Sequence, residues 1–466
     1  MAAPTAQANR GRIGLLRHPE FLKLWSAETI SQFGTQVSQL ALPLIAAVIL
    51  KVDAFQFGLL NTIEFLPFIL LSLPAGVWVD RLRRRPILIA GDIGRGLALA
   101  SIPIAFALNA LTIWQLYIVG FTVGCLTVFF DVAYQSYLPS LVDRDDILEG
   151  NAKLEISRSG AQIAGPGVAG FVIGIVSAPI AIVLDSLSYF ASAAFVFRIR
   201  KGEPPVVRPE YRDGGKGPSM RSEIAAGLRY VLTHPYLRSI AACTGTSNLF
   251  SNIGFGILIL YLVRPPLNLT AAQLGVAFSV GSVGFLAGAL LANRIGGRLG
   301  VGPTIIGSAI LFGPSFILVA LAPASDALPW VIAAIFLGSF GGAVYNINQV
   351  SLRQAITPPR MQGRMNATMR FIVWGTIPIG AMLGGFLGNA IGLHPTIWIG
   401  AIGGIFSFLP LLIGPVRSLK TMPAPVEEEP ADGPAETPME RAIETLGEAI
   451  DETARPVPGV PSPDDA

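Results

Sequence analysis

The stretch from Asp131 to Gly170, "DVAYQSYLPSLVDRDDILEGNAKLEISRSGAQIAGPGVAG", lies without gaps over the stretch from Asn346 to Gly385, "NINQVSLRQAITPPRMQGRMNATMRFIVWGTIPIGAMLGG", at an offset of 215. The shift superposes Asn151-Ala152 on Asn366-Ala367, Gly165 on Gly380 and Gly170 on Gly385. Earlier, at an offset of 212, Gly76 falls on Gly288. One half of the chain therefore repeats the other.

What is repeated follows from composition. The 466 residues are 52% hydrophobic and 14% charged, with a mean hydropathy of +0.59, where a soluble chain carries about a quarter charged residues. Apolar runs of bilayer-spanning length recur twelve times, near 22–50, 57–79, 86–108, 112–137, 155–176, 179–198, 237–262, 270–292, 302–322, 328–354, 366–391 and 395–415. The expected fold is an all-α membrane protein of twelve transmembrane helices in two six-helix repeats. An even number of spans per repeat makes both halves enter from the same side, so the repeats are parallel, with a site between them near the midplane. The expected organisation is an N-terminal segment 1–20, a first bundle 21–198, a linker 199–236, a second bundle 237–416 and a tail 417–466. Within the linker, "RSEIAAGLRYVL" reads as an amphipathic helix on the inner surface.

The first span contains Glu28, Gln32, Gln36 and Gln39 and exceeds the core of a signal peptide, so it is expected to remain in the mature protein. The basic residues, including the cluster in "AGVWVDRLRRRP" (Ala75–Pro86), could form a nucleic-acid patch or follow topology. They are spread over every second loop, which is the positive-inside pattern and places both termini in the cytoplasm of a cytoplasmic-membrane protein. The stretch after Lys420 carries 12 acidic and 2 basic residues, a net of −10, so the rest of the chain carries +13. That tail reads as a disordered segment, regulatory or without function. Cys125 and Cys243 both fall inside spans and support neither a disulfide framework nor a metal site. His18, His234 and His394 lie near span ends, no nucleophile motif accompanies them, and no nucleotide-binding loop occurs. An enzyme and an ATP-driven pump are thereby disfavoured; no cofactor and no metal are expected.

Polar residues inside spans face a cavity or a neighbouring helix. They form one-faced stripes on every third span: Trp25, Glu28, Gln32, Gln36 and Gln39 on the first; Thr127, Asp131, Tyr134 and Gln135 on the fourth; Thr244, Asn248, Ser251 and Asn252 on the seventh; Tyr345, Asn346, Asn348, Gln349 and Arg353 on the tenth. Each Asn or Gln taken alone better fits a hydrogen bond between packed helices; the stripes as a pattern better fit a shared aqueous cavity. Of five acids inside spans, Asp131, then Glu28, then Glu64 are the candidates for proton coupling, which needs a buried carboxyl that alternates between protonation states. Asp92, three residues before Arg95, reads as a structural ion pair or part of an inner latch, and Asp185 as a packing acceptor.

Over about residues 15–420 the chain resembles the major facilitator superfamily of secondary transporters. Gly76, Asp80, Arg81, Arg84 and Arg85 match its loop motif G-x-x-x-D-R-x-G-R-R, with Arg83 in place of the second glycine. The resemblance implies that Asp80 latches the inner helix ends, with Arg370 as candidate partner. "AQIAGPGVAG" resembles the antiporter-type motif g-x-x-x-G-P-x-x-G-G through Gly165, Pro166 and Gly170. The arginine motif of many drug–proton antiporters is absent from residues 112–130. "LPSLVDRDDILEGNAKL" and "RHPEFLKLWSAETISQFG" look most like the efflux subfamily of macrolide and siderophore exporters. What this implies is a monomeric, proton-coupled exporter of a small amphipathic solute; a lipid or lysophospholipid translocator on the same fold is the alternative.

Overall fold

The structure, a computed structural model, describes residues 14–15, 18–79, 82–143, 146–201, 203 and 220–423. Twelve helices among them are long and apolar enough to cross a membrane. The first six are α1 (Pro19–Leu44, extended by a π turn at Ile45–Ile49), α2 (Ala54–Val79), α3 (Arg84–Ala107), α4 (Ile113–Leu141), α5 (Ile147–Val176) and α6 (Ala178–Phe197). A shorter helix α7 (Met220–Thr233) precedes α8 (Pro235–Val263), α9 (Ala271–Leu299), α10 (Val301–Phe312), α11 (Phe316–Leu321), α12 (Ala327–Ala355), α13 (Pro359–Ile391), α14 (Leu393–Phe406) and α15 (Leu409–Ile413).

Local chemistry sets the ends. His18 Nδ1 accepts the Phe21 N–H and Thr112 Oγ1 the Gln115 N–H, and Thr270 and Gln273 form a reciprocal capping box, each satisfying amide groups that a first helical turn leaves free. Two spans are broken where proline removes an amide donor: the ninth at Gly313–Ser315, between α10 and α11, and the twelfth between α14 and α15, ahead of Pro410. The helices of the fifth and eleventh spans, α5 and α13, start earlier than their apolar runs, at Ile147 and Pro359, because polar turns continue the same helix beyond the hydrocarbon. The linker helix is present: α7 packs on α8 and α13, burying Val231, and the Tyr230 hydroxyl donates to the Ile356 carbonyl.

Helices α1 to α6 pack among themselves, as do α8 to α15, and two seams join the sets: α2 against α13 and α5 against α9. Asn61 Nδ2 donates to the Gly256 carbonyl, Thr62 Oγ1 to the Pro378 carbonyl, the Gly167 N–H to Ser279 Oγ, and the Arg264 guanidinium to the Val52 carbonyl. All these bonds lie between the middle of the helices and the end at which α1 and α8 finish. At the opposite end, Glu203 accepts the Arg84 and Arg85 N–H groups, Glu20 the Arg200 N–H, and Lys23 Nζ donates to the Arg198 carbonyl, all within the first set. Outward faces carry large exposed apolar side chains such as Leu97, Ile118, Phe171, Leu290 and Phe386, the surface a protein needs when its surroundings are lipid.

Candidate transport site

Four carboxyl groups and one arginine meet inside the first helix set. Counted at about 1.5 Å per residue, Glu28 on α1, Asp92 and Arg95 on α3, Asp131 on α4 and Asp185 on α6 all sit about 12 to 18 Å from the same end of the bundle. Asp92 is fully buried and Arg95 4% exposed; the Arg95 Nη2 donates to Asp92 Oδ1 at 2.6 Å. The guanidinium lies over the rings of Phe130 (4.1 Å) and Tyr189 (4.3 Å), and its Nη1 reaches Thr127 Oγ1 at 3.5 Å. Tyr189 in turn shares a hydrogen bond of 2.9 Å with Thr35 Oγ1 of α1. The charge of Arg95 acts on Glu28, Asp131 and Asp185 as well as on Asp92.

Asp131 differs from the other three acids. Its neighbours Val128, Phe130 and Ala133 are buried, yet Asp131 and Gln135, one turn apart, are exposed. Because Asp131 interacts electrostatically with Glu28 of α1, Arg95 of α3 and Arg158 of α5, this exposed face looks into the bundle and not toward lipid. Glu28 is buried beside it and accepts a 2.6 Å hydrogen bond from Gln32 Nε2. Trp25 Nε1 donates to the Lys153 carbonyl, Gln36 is buried against Gly165, and the Tyr134 ring stacks on Phe130 with its hydroxyl unpartnered. Asp185 bonds Ser188. Glu64, the remaining acid, stands apart on α2 facing Gly120 of α4, its Oε1 buried without a hydrogen-bond partner.

The second set has a different chemistry. From Pro235 to Lys420 the sequence contains one acidic residue, Asp326, which precedes α12 without a side-chain capping bond. Asn248 Nδ2 donates to the Val373 carbonyl, Asn252 Nδ2 to the Asn248 carbonyl, and Gln349 Nε2 to Asn346 Oδ1. Asn346 is exposed, whereas Gln349 is buried with its Oε1 unpartnered. Tyr345 is 3% exposed, bonded to Thr244 Oγ1 at 2.7 Å and packed against Phe312 at 5.2 Å; it is a packing residue, not a cavity wall.

Of the residues matched to the loop motif, Asp80 and Arg81 lie outside the described residues, and Gly76 falls in the last turns of α2. Arg84 and Arg85 hold the start of α3 to the end of α6 and the chain after it: their N–H groups go to Glu203, and the Arg85 guanidinium donates to the Val196 and Phe197 carbonyls. Arg370 is exposed and lies over the Trp374 ring of its own helix at 5.1 Å.

Comparison with known proteins decides the family. The sequence profile described as a transmembrane secretion effector, a branch of the major facilitator superfamily, matches residues 11–437. The chain belongs to the major facilitator superfamily. It is 22% identical to macrolide efflux protein A of Streptococcus pyogenes over 80% of this chain and 91% of that protein. It is 24% identical to the enterobactin exporter EntS of Citrobacter koseri over 89% and 96%, and 24% identical to the multidrug efflux pump Tap of Mycolicibacterium fortuitum over 71% and 80%. Among solved structures, a bacterial homologue of the iron transporter ferroportin in an inward-facing state superposes with a TM-score of 0.70 at 15% identity, covering 86% of this chain and 98% of that one. The nucleoside transporter NupG gives 0.65 at 12% identity over 85% and 98%.

As a major facilitator protein the chain is a multi-pass membrane transporter of a small molecule. Of the residues that resemble the antiporter-type motif, Gly165 admits Gln36 of α1 within the first set, while the Pro166 carbonyl and Gly170 meet Gly275 of α9 on the seam. What the sequence reading missed is the reach of Arg95 to the acids on α1, α4 and α6. The signal available was depth: four acids and one arginine at matching distances from their helix ends.

Proposed function

We propose that the protein exports a small amphipathic molecule, a drug, a macrolide-like compound or a siderophore, across the cytoplasmic membrane by proton antiport with alternating access. The observation that carries the reading is the division of charge. All intramembrane acids lie in the first helix set, where Asp131 faces open space within the bundle, and the second set offers neutral amides. A proton taken up by Asp131 or Glu28 would exchange for solute as the sets rock. In this reading residues 21–198 and 237–416 move as two bodies joined by 199–236, both termini and the 417–466 tail are cytoplasmic, and one chain suffices. With that orientation the bonded seams are periplasmic and the conformation is open to the cytoplasm. The efflux direction and solute classes rest on the macrolide, enterobactin and multidrug relatives, which lend the lipid alternative no support.

The test is uptake of a fluorescent cationic dye into inverted vesicles under an imposed proton gradient. Accumulation that an uncoupler abolishes and Asp131→Asn lowers at least tenfold is expected. Gradient-independent behaviour of the wild type across dyes, macrolides and catecholate siderophores would sink the antiport reading.

A further inference from the structure

We propose that Arg95 is a positioning residue of the coupling site: anchored by Asp92, its guanidinium is the shared counter-charge for Glu28, Asp131 and Asp185. This rests on the proton-antiport reading and adds a third helix, α3, to the two that carry the candidate proton carriers.

The Asp92–Arg95 contact is a single bond. The Arg95 Nε has no hydrogen-bond partner, whereas a pair that served only to hold two turns of helix would use the bidentate geometry arginine offers. The guanidinium is instead held by two aromatic faces from α4 and α6, contacts that keep a cation in place without neutralising it. The groups around it come from both helices packed on α3, Asp131 and Thr127 from α4 and Asp185 and Tyr189 from α6, and from α1 beyond them through Glu28, with Asp92 on α3 itself. Arg158 of α5 also acts on Asp131, but Arg95 is the cation that acts on all four carboxyls, so its charge is divided among them, and in a low-dielectric bundle that division is felt strongly. When Asp131 gives its proton to the open side, Arg95 and Arg158 meet the charge left behind, and Arg95 links that charge to Glu28 and Asp185. The sequence shows the complement: residues 112–130 of α4 carry no basic side chain, and Arg95 reaches that helix from its neighbour.

The experiment compares the wild type, Arg95→Gln, the double variant Asp92→Asn/Arg95→Gln and Arg95→Lys in inverted vesicles and by thermal melting in detergent. Arg95→Gln leaves Asp92 buried and unpaired and is expected to melt well below the wild type. The double variant removes the pair together, which buried pairs tolerate. It is expected to melt near the wild type, to retain equilibrium dye binding, and to lose at least tenfold of its gradient-driven accumulation. Arg95→Lys keeps both the charge and a partner for Asp92 and is expected to recover gradient-driven accumulation to within about fivefold of wild type; the double variant, in which residue 92 needs no partner, is what separates counter-charge from structural support. A double variant that folds and accumulates dye like the wild type overturns the inference while leaving antiport intact. So does a folded Arg95→Lys no more active than Arg95→Gln. A wild type without gradient-driven accumulation overturns the antiport reading, and the inference with it.

Discussion

Gly170 and Gly275 face each other across the α5–α9 seam so closely that a Cβ on Gly170 would lie 2.9 Å from the Gly275 Cα, and on the α2–α13 seam a Cβ on Gly385 would lie 2.9 Å from the Gly58 Cα. The repeat that aligns Gly170 with Gly385 thus aligns two equivalent helix crossings. Gly165 and Gly380 behave alike one step deeper, where added Cβ atoms would lie 2.7 Å from the Gln36 Cβ and 2.8 Å from the Asn252 Cβ. Small residues bring the backbones together, and the two seams close the same end of the molecule. Gly170→Leu or Gly385→Leu is expected to wedge that end apart and lower dye export at least tenfold. The control is Gly174→Leu, on the same helix but with open space around it, expected to stay within about twofold of wild type. Equal activity of all three would show that the seams need not close.

Tyr345→Phe separates packing from substrate contact. Thr244 donates its own hydroxyl hydrogen to the Ile240 carbonyl, so the Tyr345 hydroxyl is the donor in their 2.7 Å bond. Losing it costs about 1 kcal/mol, a fall in Tm of about 2 °C. Solute affinity measured by fluorescence titration should stay within about twofold. A tenfold weaker affinity at unchanged Tm would return Tyr345 to the binding surface.

The fold was legible in the sequence because a bilayer demands length and apolarity that composition displays directly, and because Gly165/Gly380 and Gly170/Gly385 repeat in register. The site was legible only in part. A polar stripe reports which face of a helix carries polar groups but not whether that face meets space or a neighbour: Asp131 and Gln135 meet space, whereas Tyr345 and Gln349 on an equally polar helix are packed. Asp92 and Arg95 read as a local i,i+3 pair because sequence spacing exposes only neighbours along one helix. The contacts with Phe130 and Tyr189 cross to two other helices, and no periodicity encodes them.

Glu64 offers a contrast with the Arg95 cluster. No charged group acts on it among the described residues, its Oε1 has no partner, and Gly120 fits against its side chain so tightly that a Cβ there would lie 2.8 Å from Glu64 Cγ. A polar group buried without partners costs about 1–3 kcal/mol. Glu64→Met, unbranched and of similar length, is therefore expected to raise the Tm by about 2 °C or more and to leave gradient-driven export within about twofold of wild type. A coupled rate that falls tenfold with the Tm raised would make Glu64 a proton carrier in its own right.

The joint between α7 and α8 carries a pH dependence of its own. His234 lies between the rings of Tyr230 (5.7 Å) and Tyr236 (5.9 Å), with Nδ1 buried and unpartnered. Burial disfavours the imidazolium and holds the His234 pKa below its ordinary 6.5, as desolvation does for any base. The unfolded chain therefore binds this proton first as pH falls. Well above pH 6.5 the residue is neutral in both states and adds no slope, while from about one unit above 6.5 down to the lowered folded value stability drops as the medium is acidified. Because α7 is the short helix held to α8 and α13 at this point, the loss should show first in its amides. Hydrogen exchange of residues 225–233 is expected to quicken between pH 7.5 and 5.5, after correction for intrinsic rates, and His234→Gln should remove that acceleration. An identical acceleration in the variant would place the pH response elsewhere in the linker.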